Sequence, residues 1–178
     1  MNRRSLLSTT ALAVVGLTLL PCHTFGQQQS LNERLLGAWT LVAIDSVRQD
    51  GGRSPLFGAD PKGIAFFDRN GHYIISVMRQ DRPPFAVNDR MQGTAEENKT
   101  TSQGMITYFG TYSVDETDRA MLIHIDASSF PNWNGADQKR LVTITEDVLA
   151  IGDRRLKLTV PPPPTGGAAI EVLWRRAK

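Results

Sequence analysis

Tyr108 and Tyr112 stand four residues apart in a run of alternating strand formers, so a period of two places both phenols on one face. There they read in two ways: as a wall whose hydroxyls orient a ligand, or as core aromatics with their hydroxyls satisfied inside the protein. His124 and Asp126 share a face in the same manner, opposite Ile123 and Ile125. If the aliphatic pair fills the interior, His124 and Asp126 face solvent; if the interior is polar, the assignment reverses. Arg140 falls on a later strand whose ladder with residues 121–127 would bring it beside them. A cluster of His124, Asp126 and Arg140 can orient an imidazole and tune it as a general base. A structural ion-pair network has the same composition. Trp133, between Asn132 and Asn134, suits a cap over a ligand or over a barrel end, and Arg79 opens a long polar stretch where it meets either a carboxylate or water. His72, beside a turn, and the Glu96-Glu97 pair read as solvent-facing. No nucleophile motif, glycine-rich phosphate loop or metal-ligand spacing is present, because Gly51-Gly52 and Gly166-Gly167 are isolated pairs in turn-like surroundings. The residues imply no cofactor and no metal.

The elements that must position these side chains are short strands separated by turn chemistry. Residues 39–44, 63–68, 72–78, 105–114, 121–127, 139–145, 148–151, 156–160 and 169–175 carry strand formers, several with clean alternation. Asn70-Gly71 between two of them is the turn pair that accepts positive φ in a tight hairpin. A second hairpin is expected across Gly152-Asp153, joining 148–151 to 156–160. Residues 80–103, with Pro83-Pro84 and few large apolar side chains, form a long excursion, a lid or a disordered loop, with room for a short exposed helix over 94–102. Eight or nine strands with hairpin spacing and no strong helix predict an all-β fold. An antiparallel up-and-down barrel removes its edges by closure, and a sandwich is the rival.

The first 26 residues have the parts of an export signal: Arg3-Arg4, an apolar run from Leu6 to Leu20, and a short polar stretch ending at Gly26. Arg3-Arg4-Ser5-Leu6-Leu7 fits a twin-arginine signal as well as an ordinary secretory one. A lipoprotein reading at Cys22 is opposed by Pro21, which stands where a small residue is needed. The apolar run falls short of the ~20 residues of a membrane span, so no membrane anchor is expected. The expected organisation is a signal peptide at 1–26, a linker at 27–34 and one domain at 35–178, periplasmic or secreted and of bacterial type. Of the 20 basic residues, Arg3 and Arg4 leave with the signal, and the remaining 18 balance 18 acidic ones. Nucleic-acid binding through a positive field is therefore not expected. Cys22 also lies in the signal, which excludes disulfides, thiolate metal sites and a cysteine nucleophile from the mature chain. The Asn98-Lys99-Thr100 sequon is incidental in that setting. Nothing in the sequence sets an oligomeric state.

Gly37-Ala38-Trp39 at the opening of the first strand matches the G-x-W signature of lipocalins, and Trp174-Arg175-Arg176 in the last supplies a basic partner. The fuller set is Leu36 to Leu41, Pro61-Lys62-Gly63, Asp68 to Tyr73, Tyr108-Phe109-Gly110-Thr111-Tyr112, and Pro131-Asn132-Trp133-Asn134-Gly135 followed by Gln138 and Arg140. In that order, across residues 35–176, the chain resembles the bacterial and fungal lipocalin-like domain family. The resemblance implies an eight-stranded barrel with a cup open at one end. It also implies that Arg175 or Arg176 packs over Trp39 and, with Gly37, closes the floor.

Three functions follow as expectations. The first is a cup binding a small, largely hydrophobic ligand, oriented by Tyr108, Tyr112, His124, Arg140, Trp133 and Arg79. The second is an isomerase, cyclase or hydrolase using His124, Asp126 and Arg140. The third is a filled barrel that contacts other envelope proteins through its loops.

Overall fold

The structure, a computed structural model, describes residues 29–146 and 153–178. The expected signal at 1–26 and the expected strand at 148–151 lie outside the described residues. Nine strands are present: β1 (Gly37–Val47), β2 (Arg53–Pro55), β3 (Lys62–Phe67), β4 (His72–Met78), β5 (Met105–Asp115), β6 (Ala120–Ser128), β7 (Asp137–Glu146), β8 (Arg154–Val160) and β9 (Ala169–Arg176). Helix α1 (Leu31–Leu35) precedes them, and α2 (Ala95–Gln103) lies between β4 and β5. Strands β1 and β3 to β9 pair antiparallel with their neighbours, and β1 pairs with β9, so eight strands close into a barrel with no sandwich alternative. The ninth, β2, is a short addition to the far end of β1, where Asp45 to Val47 meet Arg53 to Pro55. It was not foreseen, because two glycines precede it and its three residues show no alternation.

Alternation sets the faces. Along β6, Met121, Ile123 and Ile125 are buried while Leu122, His124 and Asp126 are exposed, and along β7 Arg140, Val142 and Ile144 are buried between exposed neighbours. Leu156 pairs with Ile144 and Arg154 with Glu146, so β8 has β7 as a partner, while the 148–151 arm of the expected hairpin lies outside the described residues. The β3–β4 hairpin turns at Asn70-Gly71, where Gly71 has φ +82°. The Asp68 carboxylate accepts from the backbone N–H groups of Asn70 and His72, both at 2.8 Å. Those bonds, His72 first, hold its carboxyl below the ordinary aspartate value.

Within the segment expected as a linker, 27–34, the residues from Ser30 onward fold against the barrel floor. Ser30 and Glu33 form a reciprocal capping box at the start of α1, and Glu116 accepts from the N–H groups of Leu31 and Asn32 at 2.9 and 3.1 Å. Arg34 donates to the Ile144 carbonyl at 3.0 Å, and Leu31 and Leu35 are buried in the core. Trp39, fully buried, donates through Nε1 to the Leu35 carbonyl at 2.7 Å.

Of the two candidate arginines, Arg176 takes the closing position. Its guanidinium lies 5.1 Å from the Trp39 ring centre and donates to the Leu36 carbonyl. Burial, with nearby Arg154, pushes it below the ordinary arginine value. Arg175 points the other way, 3.4 Å from Asp153. Gly37 has φ +96°, and a Cβ there would come within 2.6 Å of Arg176 Nη2. Gly37→Ala is therefore expected to cost roughly 1–3 kcal/mol, from a strained backbone and a displaced guanidinium together. A thermal melt checks this, and an unchanged melting temperature would refute the account of the floor.

Candidate ligand-binding site

The other end of the barrel is open. There the β5–β6 ladder shifts register between Phe109 and Gly110, leaving Asp126 as the extra residue of a bulge. Gly110 makes this possible, since a Cβ at that position would meet the His124 carbonyl oxygen at 2.0 Å. Beyond the bulge the chain passes through Ser129 and Phe130 into a short 3-10 turn at Pro131–Trp133. Asn134 fastens this turn by accepting from the Ser128 N–H at 2.8 Å. The excursion between β4 and β5 rises at the same end. Thr94 and Glu97 cap α2 reciprocally, and Glu97 also accepts from the Ala86 N–H at 2.7 Å, tying the proline-rich stretch to the helix. The region expected as a helix over 94–102 is thus helical over Ala95–Gln103.

Between these elements the barrel holds a cup of about 340 Å3. Its wall is aliphatic below, with Ile44, Val77, Leu158 and Val172, and aromatic at the mouth, with Phe57, Phe130 and Trp133. Ser102 of α2 reaches the rim. At the bottom, Trp174 is fully buried and its indole N–H has no acceptor among the described residues. A wider trough of about 580 Å3 lies on the outside of the barrel, over Thr111, Leu122, His124 and Lys139. This trough is a shallower groove with a more polar lining, whereas the cup is more recessed and mainly apolar, as ligand sites are.

The structure divides the candidate residues. Tyr108, Trp133 and Arg140 line the cup. The rings of Tyr108 and Trp133 meet edge to face at 5.5 Å, and Phe130 meets Trp133 likewise at 5.9 Å. Tyr108 is a buried phenol whose ionisation burial pushes up, against the opposing pull of Arg140. Tyr112 shares its face, as the period requires, but sits two inward positions deeper, past Gly110. It packs edge-on to Phe67 at 5.3 Å and donates its hydroxyl to the Asp68 carbonyl at 2.8 Å, so it holds the hairpin and does not reach the cup. Arg79 is held by Asp81 at 2.9 and 2.7 Å, away from the cup.

His124 and Asp126 face outward, because Ile123 and Ile125 take the interior positions. The His124 ring is 46% exposed and meets Asp137 at 2.7 Å and Asp126 at 3.9 Å. Arg140 is 6% exposed and projects to the inner face. The sheet therefore stands between His124 and Arg140, and the expected His124–Asp126–Arg140 cluster is not assembled. Among the described residues, no group of three or more His, Cys, Asp and Glu side chains is arranged to hold a metal ion. The sequence reading also missed the contributions of Phe57, Phe130 and Ser102, which come from connections without strand alternation to reveal them.

An eight-stranded antiparallel meander, plugged at one end by a short helix and an arginine-covered tryptophan and holding an apolar cup at the other, is a lipocalin-type binding barrel. The chain belongs to the lipocalin-like domain family, whose model matches residues 36–177. It is similar to the 4'-hydroxy-3'-methoxypropiophenone carrier protein ppsC of Aspergillus oryzae, 30% identical over 81 residues that cover 42% of this chain and 73% of that one. Among solved structures, a redesigned β-barrel aligns with 85% of this chain and 98% of its own, at 14% identity and a TM-score of 0.37.

Proposed function

We propose that the protein is exported and binds a small, largely apolar molecule with an aromatic portion in the cup. The observation that carries this reading is the cup of about 340 Å3 with its aliphatic wall and aromatic mouth. Burying a ligand's apolar surface there supplies about 25 cal/mol per Å2, less the costs of ordering the ligand. The relative named as a carrier of 4'-hydroxy-3'-methoxypropiophenone supports a molecule of that size and kind, and carriage in preference to turnover. The separation of His124 from the cup weighs in the same direction. An envelope or extracellular location follows from the signal at residues 1–26.

Native mass spectrometry of the protein from exporting cells tests both parts. The expected result is a polypeptide beginning at Gln27 that binds one equivalent of the neutral dye N-phenyl-1-naphthylamine, with a rise in dye emission. A chain retaining residues 1–26 would overturn export. Absence of any dye complex at micromolar concentrations would overturn the cup as a ligand site.

A further inference from the structure

Arg140 is the charged side chain on the wall of the cup, and its surroundings do not neutralise it. Its guanidinium donates to neutral acceptors, the Lys139 carbonyl at 3.3 Å and Gln138 Oε1, and stands within hydrogen-bond reach of the Tyr108 hydroxyl. Several other arginines of the barrel meet carboxylates: Arg53 meets Asp45 and Glu171, Arg79 meets Asp81, Arg154 meets Glu146, and Arg155 and Arg175 meet Asp153, whereas Arg34 and Arg176, outside the cup, donate to backbone carbonyls. The arginines of these pairs are partly or largely exposed, so water reaches them as well. Arg140, 6% exposed, is the one that most needs an anion, yet among the described residues no carboxylate lies within ion-pair distance of it. A guanidinium cannot shed its proton to relieve the burial. Its position follows from sequence: Arg140, Val142 and Ile144 form one inward row, so a cation occupies the step nearest the mouth where the pattern calls for a hydrophobe.

We propose that the cup takes an amphipathic acid, whose carboxylate binds Arg140 with the Tyr108 hydroxyl as a second donor, and whose apolar body lies among Ile44, Leu158 and Val172. This rests on the cup being a ligand site and adds the chemical class of what enters it. Arg140 and Tyr108 are adjacent on the wall, and Trp133 packed on Tyr108 holds the phenol in place. A carboxylate has two oxygens to accept from two such donors, and its charge compensates the guanidinium where a neutral ligand leaves it buried and unpaired.

A matched pair of dyes tests this. N-phenyl-1-naphthylamine and 8-anilinonaphthalene-1-sulfonate share one aromatic body and differ by an anionic group, the sulfonate standing in for the carboxylate. The purified protein is expected to bind the anionic dye about tenfold or more tighter than the neutral one, the scale of one charge-assisted hydrogen bond. Arg140→Met keeps the length and removes the charge. It is expected to abolish that preference by weakening the anionic dye far more than the neutral one, and Arg140→Lys should retain most of it. An unchanged preference in Arg140→Met, or equal weakening of both dyes, overturns the assignment. Should Arg140→Met fail to fold, the unaltered protein still decides: equal or weaker binding of the anionic dye overturns it. Failure to bind the neutral dye at all strikes the cup itself, a separate result.

Discussion

Trp39→Ala is expected to lower the free energy of unfolding by about 3–5 kcal/mol, the loss that follows deletion of a large aromatic from a packed core. Three losses coincide at this residue. The indole is fully buried, so alanine leaves a void; its N–H satisfies the Leu35 carbonyl at 2.7 Å, so an acceptor is orphaned; and its ring supports Arg176 at 5.1 Å. Against a total stability of about 5–15 kcal/mol, this is a large fraction. With a urea dependence of about 1–3 kcal/mol per molar, the midpoint should fall by on the order of 2 M. Trp39→Phe keeps a ring under Arg176 but has no N–H, and its midpoint should fall between the two. A shift for Trp39→Ala within about 0.5 M of zero would mean that the floor is not held as described.

Val172→Trp is expected to abolish binding in the cup while leaving the barrel folded. Val172 pairs with Ile44 on one side and Leu158 on the other, and all three side chains line the cavity. An indole projecting from that position occupies space the ligand needs. Because the space is otherwise a void, filling it should leave the melting temperature unchanged or raise it. Titration with the neutral dye should show affinity weakened by about a hundredfold or more, equivalent to about 2.7 kcal/mol. Retained affinity in a folded Val172→Trp protein would move the site out of the barrel, with the outer trough beside His124 as the next place to look.

The strand meander was legible because its signals are local. Asn70-Gly71 marks a hairpin, and alternation in 105–114 and 121–127 marks strands with one buried face. Both helices open on capping signals, Ser30-x-x-Glu33 and Thr94-x-x-Glu97; the second was legible over 94–102, whereas α1, five residues long, has no apolar stripe long enough to announce itself. The site was harder. Period two places Tyr108 and Tyr112 on one face, yet gives no depth within the barrel, and depth separates a cup residue from a hairpin prop. For His124 and Arg140 the deciding information was parity. Ile123 and Ile125 exclude His124 from the interior, while Val142 and Ile144 carry Arg140 into it, so two residues expected to meet across a ladder lie on opposite faces. Of the connections at the mouth, Trp133 could be read as a cap and 80–103 as a lid, but Phe57, Phe130 and Ser102 reach the cup through tertiary packing, where no repeat speaks for them.

The ladder between β1 and β9 has a kinetic meaning. From β3 to β9 each strand pairs with its neighbour in sequence, so those pairings form by closing short stretches of chain, with the longer β4–β5 and β8–β9 connections adding little to the entropic cost. The β1–β9 ladder joins the two ends of the meander, Trp39 to Arg176 and Val47 to Ala169, and must wait for everything between them. The cup exists only after that step, since Ile44 comes from one side of the ladder and Ile170, Val172 and Trp174 from the other. A ligand therefore captures the barrel at the end of its folding route and, by mass action, keeps the last-formed ladder from being the first to open.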